Sequence, residues 1–288
     1  MPTETRSWNV LSMLEWATDY FEKHKVPDPR LSIEWLLAKV LEIQRLDLYL
    51  KFDRPLSPSE LERLRPLVKR RARHEPLQYI VGFTDFMNAR IEVTPDVLIP
   101  RIETEQLVEI VLNEHSGDDP KTVLDIGTGS GCIPVALKME RAHWSVSALE
   151  LSEKALEVAR KNAEKNEVDI NFMQGDILRW EEIEPDGQPF DLIISNPPYV
   201  LPGEKDELEP QVVEHEPHRA LFCQNLEKMY GSILEFSDRY LADHGALYLE
   251  IHEKHAAEIA TLFEDEKWEL KIRKDYEKKP RYITAQKK

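Results

Sequence analysis

Apolar positions recur at helical spacing through the first quarter of the chain. Leu11, Leu14, Ala17 and Phe21 share one face of a helix predicted over residues 8–23, and the same period predicts helices over 30–43 and 57–73, with Pro55 and Pro58 marking a connection. Residues 1–75 therefore read as a small helical bundle. The β-rich residues from Phe83 to Val93 predict a hairpin turning near Asn88, inside a linker over residues 76–103. From Thr104 the pattern alternates. Leu107, Val108, Val111 and Leu112 mark a helix, and short apolar strands follow at Val123–Ile126, Ser145–Glu150, the segment ending Phe172–Asp176, and Phe190–Ser195. Ser152 is placed to cap a helix that buries Ala155, Leu156, Ala159 and Ala163. A helix over 226–241, a strand over 246–251 and a helix over 254–263 come next. Two last strands, 268–275 and 281–285, have no helix between them and predict an antiparallel pair at the sheet edge. The fold class expected is α/β, with residues 104–288 as the main domain.

Two stretches carry chemistry. Asn196-Pro197-Pro198-Tyr199 follows an apolar strand and so falls at its carboxyl end, where open α/β sheets bind ligands. Prolines keep this segment from folding back into a helix. An Asn oxygen and a stiff backbone carbonyl can accept both hydrogens of a planar –NH2 group while the Tyr ring covers its flat face. The second stretch, Gly127-Thr128-Gly129-Ser130-Gly131-Cys132, joins a strand ending Asp125-Ile126 to a helix beginning at Ile133. The chain has only 10 Gly in 288 residues, and three stand here at alternate positions, so backbone approach to a ligand is expected. The spacing is not the G-x-G-x-x-G of dinucleotide binders, which favours a different adenosine-containing cofactor. Glu150 ends the second strand, where an acid can accept from ribose hydroxyls, and Asp176 ends the third, where an acid can accept from an adenine amino group.

Asp125 with the three glycines, Glu150, Asp176 and the Asn-Pro-Pro-Tyr stretch, in this order, resemble a class I S-adenosylmethionine-dependent methyltransferase that acts on nitrogen. Glu75-Pro76-Leu77-Gln78-Tyr79-Ile80-Val81-Gly82, the run Val93–Glu105 with Arg101-Ile102-Glu103-Thr104, and Glu214-His215-Glu216-Pro217-His218-Arg219-Ala220-Leu221 narrow the likeness to the peptide chain release factor glutamine methyltransferases. The resemblance implies a Rossmann-like seven-stranded methyltransferase sheet behind the small N-terminal helical bundle. It also implies methylation of N5 of the glutamine in the release factors' Gly-Gly-Gln motif. Asn196, Pro197 and Tyr199 are the expected catalytic residues, with Pro198 joining them in holding the substrate amide. Asp125, Gly127, Thr128, Gly129, Ser130, Gly131, Glu150, Asp176, Ile177 and Asn196 are expected to hold S-adenosylmethionine. The chain departs from the family's pattern at Ile102, at Glu150, and at Cys223-Gln224-Asn225-Leu226-Glu227 where glycines are usual, so this last loop is expected either to be rebuilt or to strain a residue.

Charge bears on the alternative substrate. An N6-adenine or N2-guanine nucleic-acid methyltransferase shares the Asn-Pro-Pro-Tyr chemistry. Residues 1–80 hold 14 Lys and Arg against 12 Asp and Glu, a balance of +2, which puts −18 of the formal −16 total on residues 81–288. An acidic catalytic half suits a protein substrate better than phosphates. The one basic run, Arg63 to Arg73, reads as a solvated helix face. No signal region and no apolar run of membrane-spanning length stand out, and Cys132 and Cys223 suggest neither disulfide nor zinc, so a cytoplasmic monomer without metal is expected. His215-x-x-His218 and His252-x-x-His255 lack an evident third ligand, and Trp8, Trp16 and Trp35 read as bundle core.

Overall fold

The computed structural model describes residues 7–185, 187, 189–263 and 267–288. Two compact units are present, one of residues 1–82 with 210–215, the other of residues 83–209 with 216–288.

The first unit is helical. Helix α1 (Val10–Lys23) starts at Asn9, whose side chain accepts from Ser12 N at 2.8 Å while Ser12 Oγ accepts from Asn9 N at 3.0 Å, and it buries Val10, Met13, Leu14, Ala17 and Phe21. Helix α2 (Pro29–Leu41) buries Ile33, Leu36, Leu37 and Val40 against it. Helix α3 (Pro58–Arg71) opens on a Ser57–Glu60 capping box, and the single turn α4 (Leu77–Val81) follows. Much of the basic run is spent internally. Arg63 pairs with Glu42 and Arg70 with Glu75, while buried Arg71 donates to Ser32 Oγ at 3.0 Å, Glu75 O at 2.9 Å and Pro27 O at 3.0 Å. The tryptophans differ from the core expected of them. Trp16 is 38% exposed, stacked on Tyr20 at 5.3 Å and edge-on to Trp8 at 5.6 Å, and Trp8 and Trp35 are half-buried. These rings cover the bundle's rim because aliphatic residues already fill its interior.

In the second unit, β1 (Phe83–Phe86) and β2 (Ala89–Glu92) form the antiparallel hairpin, turning through Met87 at φ 49°. Helix α5 (Ile102–Glu114) leads into β3 (Thr122–Ile126), α6 (Cys132–Glu140), β4 (Ser145–Glu150), α7 (Glu153–Lys165), β5 (Asn171–Gln174) and β6 (Phe190–Ser195). Beyond the turns α8 (Pro210–His215, in the first unit) and α9 (His218–Leu221) come α10 (Leu226–Tyr240), β7 (Leu241–Glu250), α11 (Ala256–Thr261), β8 (Trp268–Lys274) and β9 (Pro280–Lys287). The seven strands order as β5-β4-β3-β6-β7-β9-β8, the first five parallel and the last two antiparallel, as the pattern predicted. Strand β7 begins five residues before the predicted 246, because Ala242–His244 carry little apolar signal.

This order sets the site. After β3 the chain winds outward to β4, and after β6 it winds the other way to β7, so the β3–β6 seam is the switch point that leaves a crevice at the strands' carboxyl ends. Ile126 and Ser195 are partners there, and Ser195 Oγ donates to Ile126 O at 2.7 Å. The glycine turn and Asn196 therefore emerge side by side.

Candidate active site

A cavity of about 650 Å³ opens at this seam. Gly127, Thr128, Gly129 and Ser130 line one side, Glu150, Asp176 and Ile177 a second, and Asn196, Pro197 and Pro198 a third. Asp125, Gly131 and Tyr199, which the sequence grouped with them, lie outside this lining.

The glycine turn is built from the strand ends. Gly127 N and Thr128 N both donate to Leu149 O, at 2.8 and 3.1 Å, and Gly129 N donates to Glu150 Oε2 at 2.9 Å. Gly129 has φ +55° and only open space where a Cβ would stand, so its backbone faces the cavity bare. Gly131 has another reason to lack a side chain. At φ +80° its Cβ would come within 3.0 Å of Ala159 Cβ, so it lets α6 approach α7. Buried Asn162 of α7 secures the same turn, donating to Ser130 O at 2.8 Å and Glu92 O at 3.0 Å while accepting from Glu92 N at 2.7 Å.

The acids divide by environment. Glu150 accepts from Gly129 N and, at 2.8 Å, from Ser152 N, and each oxygen keeps a further lone pair. Asp176 accepts from Leu178 N at 3.0 Å, which leaves its second oxygen available. Asp125 is fully buried with no well-formed hydrogen bond to either oxygen among the described residues, and the Thr128 hydroxyl stands near it, also without a well-formed bond. Loss of hydration pushes the Asp125 carboxyl up to about 7, with Glu150 adding to the rise and Thr128 opposing it. The lone pairs left on Glu150 and Asp176, which line the cavity, are the acceptors that fit a donor-rich ligand.

Asn196 is held by a relay the sequence did not disclose. Its Nδ2 donates to Thr104 Oγ1 at 2.9 Å, and Thr104 Oγ1 donates to Glu250 Oε2 at 2.8 Å. Tyr199 Oη donates to Glu250 Oε1 at 3.1 Å, and its ring lies 5.9 Å from that of His252. Tyr199 thus stands behind the cavity wall, where burial raises its hydroxyl's pKa and keeps it protonated. Glu250 is fully buried at the end of β7, and loss of hydration pushes it up to about 7. A strand-terminal acid was the available signal, shared with Glu150; Asp176, expected to end the third strand, stands two residues past β5 and caps the turn that follows. A third buried acid, Glu216, joins two distant stretches. It accepts from Ile99 N at 3.2 Å and pairs with Arg101, which lines the cavity.

The loop without glycines is rebuilt. Val200 N donates to Leu221 O at 3.1 Å, Cys223 N to Val200 O at 2.8 Å, and Asn225 caps α10 through Lys228 N at 2.7 Å, with no positive φ from Cys223 to Glu227. The histidines also gain a neighbour. Glu204 gathers with His252 and His255, supplying the third ligand type that sequence spacing lacked. These side chains already hold contacts of their own. Glu204 Oε1 meets His255 Nε2 at 3.1 Å, Glu258 lies 3.5 Å from His255 Nδ1, and His252 Nδ1 accepts from Lys254 N at 3.2 Å. Burial lowers the His252 pKa, and its Nδ1 lone pair is taken by the Lys254 N–H.

Comparison with known proteins adds an independent view. Residues 12–82 match the model described as PrmC N-terminal domain, and residues 102–220 match Methyltransferase small domain. The chain is 39% identical to the release factor glutamine methyltransferase of Geobacter sulfurreducens over 91% of both chains. It is 37% identical to that of Chlorobaculum tepidum over 99% of both, and 36% identical to that of Leptospira interrogans over 96% of this chain and 97% of the relative.

Proposed function

The chain belongs to the release factor glutamine methyltransferases, and we propose from that footing that it methylates N5 of the glutamine in the Gly-Gly-Gln motif of peptide chain release factors. It is a methyltransferase that uses S-adenosylmethionine. The observation that carries the substrate reading is the Asn196 side chain, which donates to Thr104 and so keeps Oδ1 free at the cavity wall beside Pro197.

An amide nitrogen is a poor nucleophile because its lone pair is shared with the carbonyl. Asn196 Oδ1 and the Pro197 carbonyl accept its two N–H bonds, which enriches the nitrogen in electron density and fixes the plane of the amide. Pro197 and Pro198 keep that carbonyl from swinging into a helical bond. S-adenosylmethionine supplies a methyl group on positively charged sulfur. Gly127, Thr128, Gly129, Ser130, Glu150, Asp176 and Ile177 would hold it. The glycine turn gives backbone approach and Glu150 keeps lone pairs for ribose hydroxyls. The proton released by the methylated nitrogen leaves to water.

A nucleobase amine would suit the same acceptor pair. Against it stand the −18 charge of residues 81–288 and the internal pairing of Arg63, Arg70 and Arg71. The protein acts as a monomer on a protein partner in the cytoplasm. Among the described residues no helix is long and apolar enough to cross a membrane. The test is transfer of labelled methyl to a purified release factor, to the same factor with its Gly-Gly-Gln glutamine replaced by alanine, and to adenine-containing oligonucleotides. Label on the first alone is expected; label on the oligonucleotides would overturn the reading.

A further inference from the structure

We propose that Glu250 decides which end of the Asn196 amide faces the substrate, acting through the Thr104 hydroxyl. The inference rests on the reading of Asn196 Oδ1 as an acceptor for the substrate's N–H. An Asn side chain is nearly symmetric in shape, and its two ends differ only in what they hydrogen-bond. Turned the wrong way, Asn196 would present –NH2 to the substrate's –NH2, two donors facing each other. Something must forbid that.

The relay supplies the constraint. An ionised carboxylate only accepts, so with Glu250 charged the single Thr104 hydrogen is committed to Oε2 at 2.8 Å. Only a lone pair of Thr104 then remains toward Asn196, and the group 2.9 Å away must be the donor Nδ2. Oδ1 is left for the substrate, and the chain of bonds polarises it further. With Glu250 protonated the constraint lapses. Its own hydrogen can satisfy Thr104, whose hydroxyl is then free to donate to Asn196 in the reversed orientation.

The surroundings let Glu250 exist in both forms. Tyr199 donates to Oε1 from the catalytic loop, and Tyr230 of α10 donates to the backbone carbonyl of Glu250 at 3.0 Å. From β9, Arg281 attracts, though it is itself paired with Asp275 at 3.3 Å, and Tyr282 lies within electrostatic reach. From α5, Glu103 repels, and Cys132 of α6 also feels the carboxylate. No salt bridge to Glu250 forms among the described residues. The balance leaves it near pH 7, so the orienting form predominates above neutrality.

The experiment is steady-state methylation of a release factor by the full chain from about pH 6 to about pH 9, with kcat and KM resolved separately. Wild type is expected to show kcat rising through an acid limb centred near 7. Glu250→Gln is isosteric but can satisfy Thr104 in either sense; it should lose that limb and about ten- to a hundredfold of kcat, with KM and cofactor affinity within about threefold. Thr104→Val should reproduce the loss, and Thr104→Ser, which restores the hydroxyl, should recover most of it. If Glu250→Gln does not fold, the two Thr104 variants decide the matter alone. Unchanged kcat and an unchanged acid limb in Glu250→Gln, or full activity in Thr104→Val, overturn the proposal while leaving the methylation reading intact. Absence of release factor methylation by wild type would instead overturn the reading beneath it.

Discussion

Asp125 holds a carboxyl near the end of β3 with neither oxygen in a well-formed hydrogen bond among the described residues, a costly arrangement. Its folded value of about 7 lies above the ordinary 3.8, so the folded state binds the extra proton. Stability of the ligand-free protein therefore falls as pH rises between these values, and the loss, on the order of a few kcal/mol, is complete above neutrality. Asp125→Asn should flatten this dependence, seen as a smaller difference in urea unfolding free energy between about pH 6 and about pH 8, while weakening cofactor binding. An equally steep dependence in the variant would contradict that assignment. Asn196, its prolines and the glycine turn were legible because their residue types are rare together. Thr104 and Glu250 were not, since a helix start and a strand end far apart in the chain carry no sequence mark that they meet.

At the scale of elements, strand identity was legible and register was not. Apolar runs separated by helical periods announced five parallel strands and an antiparallel edge, because burial on both faces of a sheet demands continuous apolar residues. The placement of Glu204 beside His252 and His255, and of Glu216 beneath Arg101, comes from loop paths that no periodicity encodes. The glycine turn shows how one motif serves two ends. Gly131→Ala should destabilise the protein by about 1–3 kcal/mol, because its Cβ would crowd Ala159 at a positive φ. Gly129→Ala meets open space, so its stability cost should stay near about 1 kcal/mol, and its main effect should be weaker cofactor binding. Denaturant unfolding and calorimetric titration of the two variants separate these outcomes; equal stability losses would contradict the division of labour.

Over the whole molecule, the net charge of −16 and the pairing of Arg63, Arg70 and Arg71 point away from phosphate backbones. Methylation of a release factor should accordingly be unaffected by an excess of RNA or duplex DNA, and inhibition that salt relieves would contradict this. The units that form, residues 1–82 with 210–215 and 83–209 with 216–288, also put the predicted linker hairpin with the catalytic sheet and return a short segment to the bundle. The predicted segments 1–75, 76–103 and 104–288 are each continuous, because a chain that crosses back for six residues leaves no compositional trace. The most direct measurement is tandem mass spectrometry of a release factor incubated with S-adenosylmethionine and either the wild-type protein or Asn196→Ala. The expected result is one methyl group on the side chain of the Gly-Gly-Gln glutamine with wild type, and at least about a hundredfold slower appearance with the variant while cofactor affinity is largely kept. A methyl group on any other residue, or its undiminished appearance with Asn196→Ala, would contradict the account.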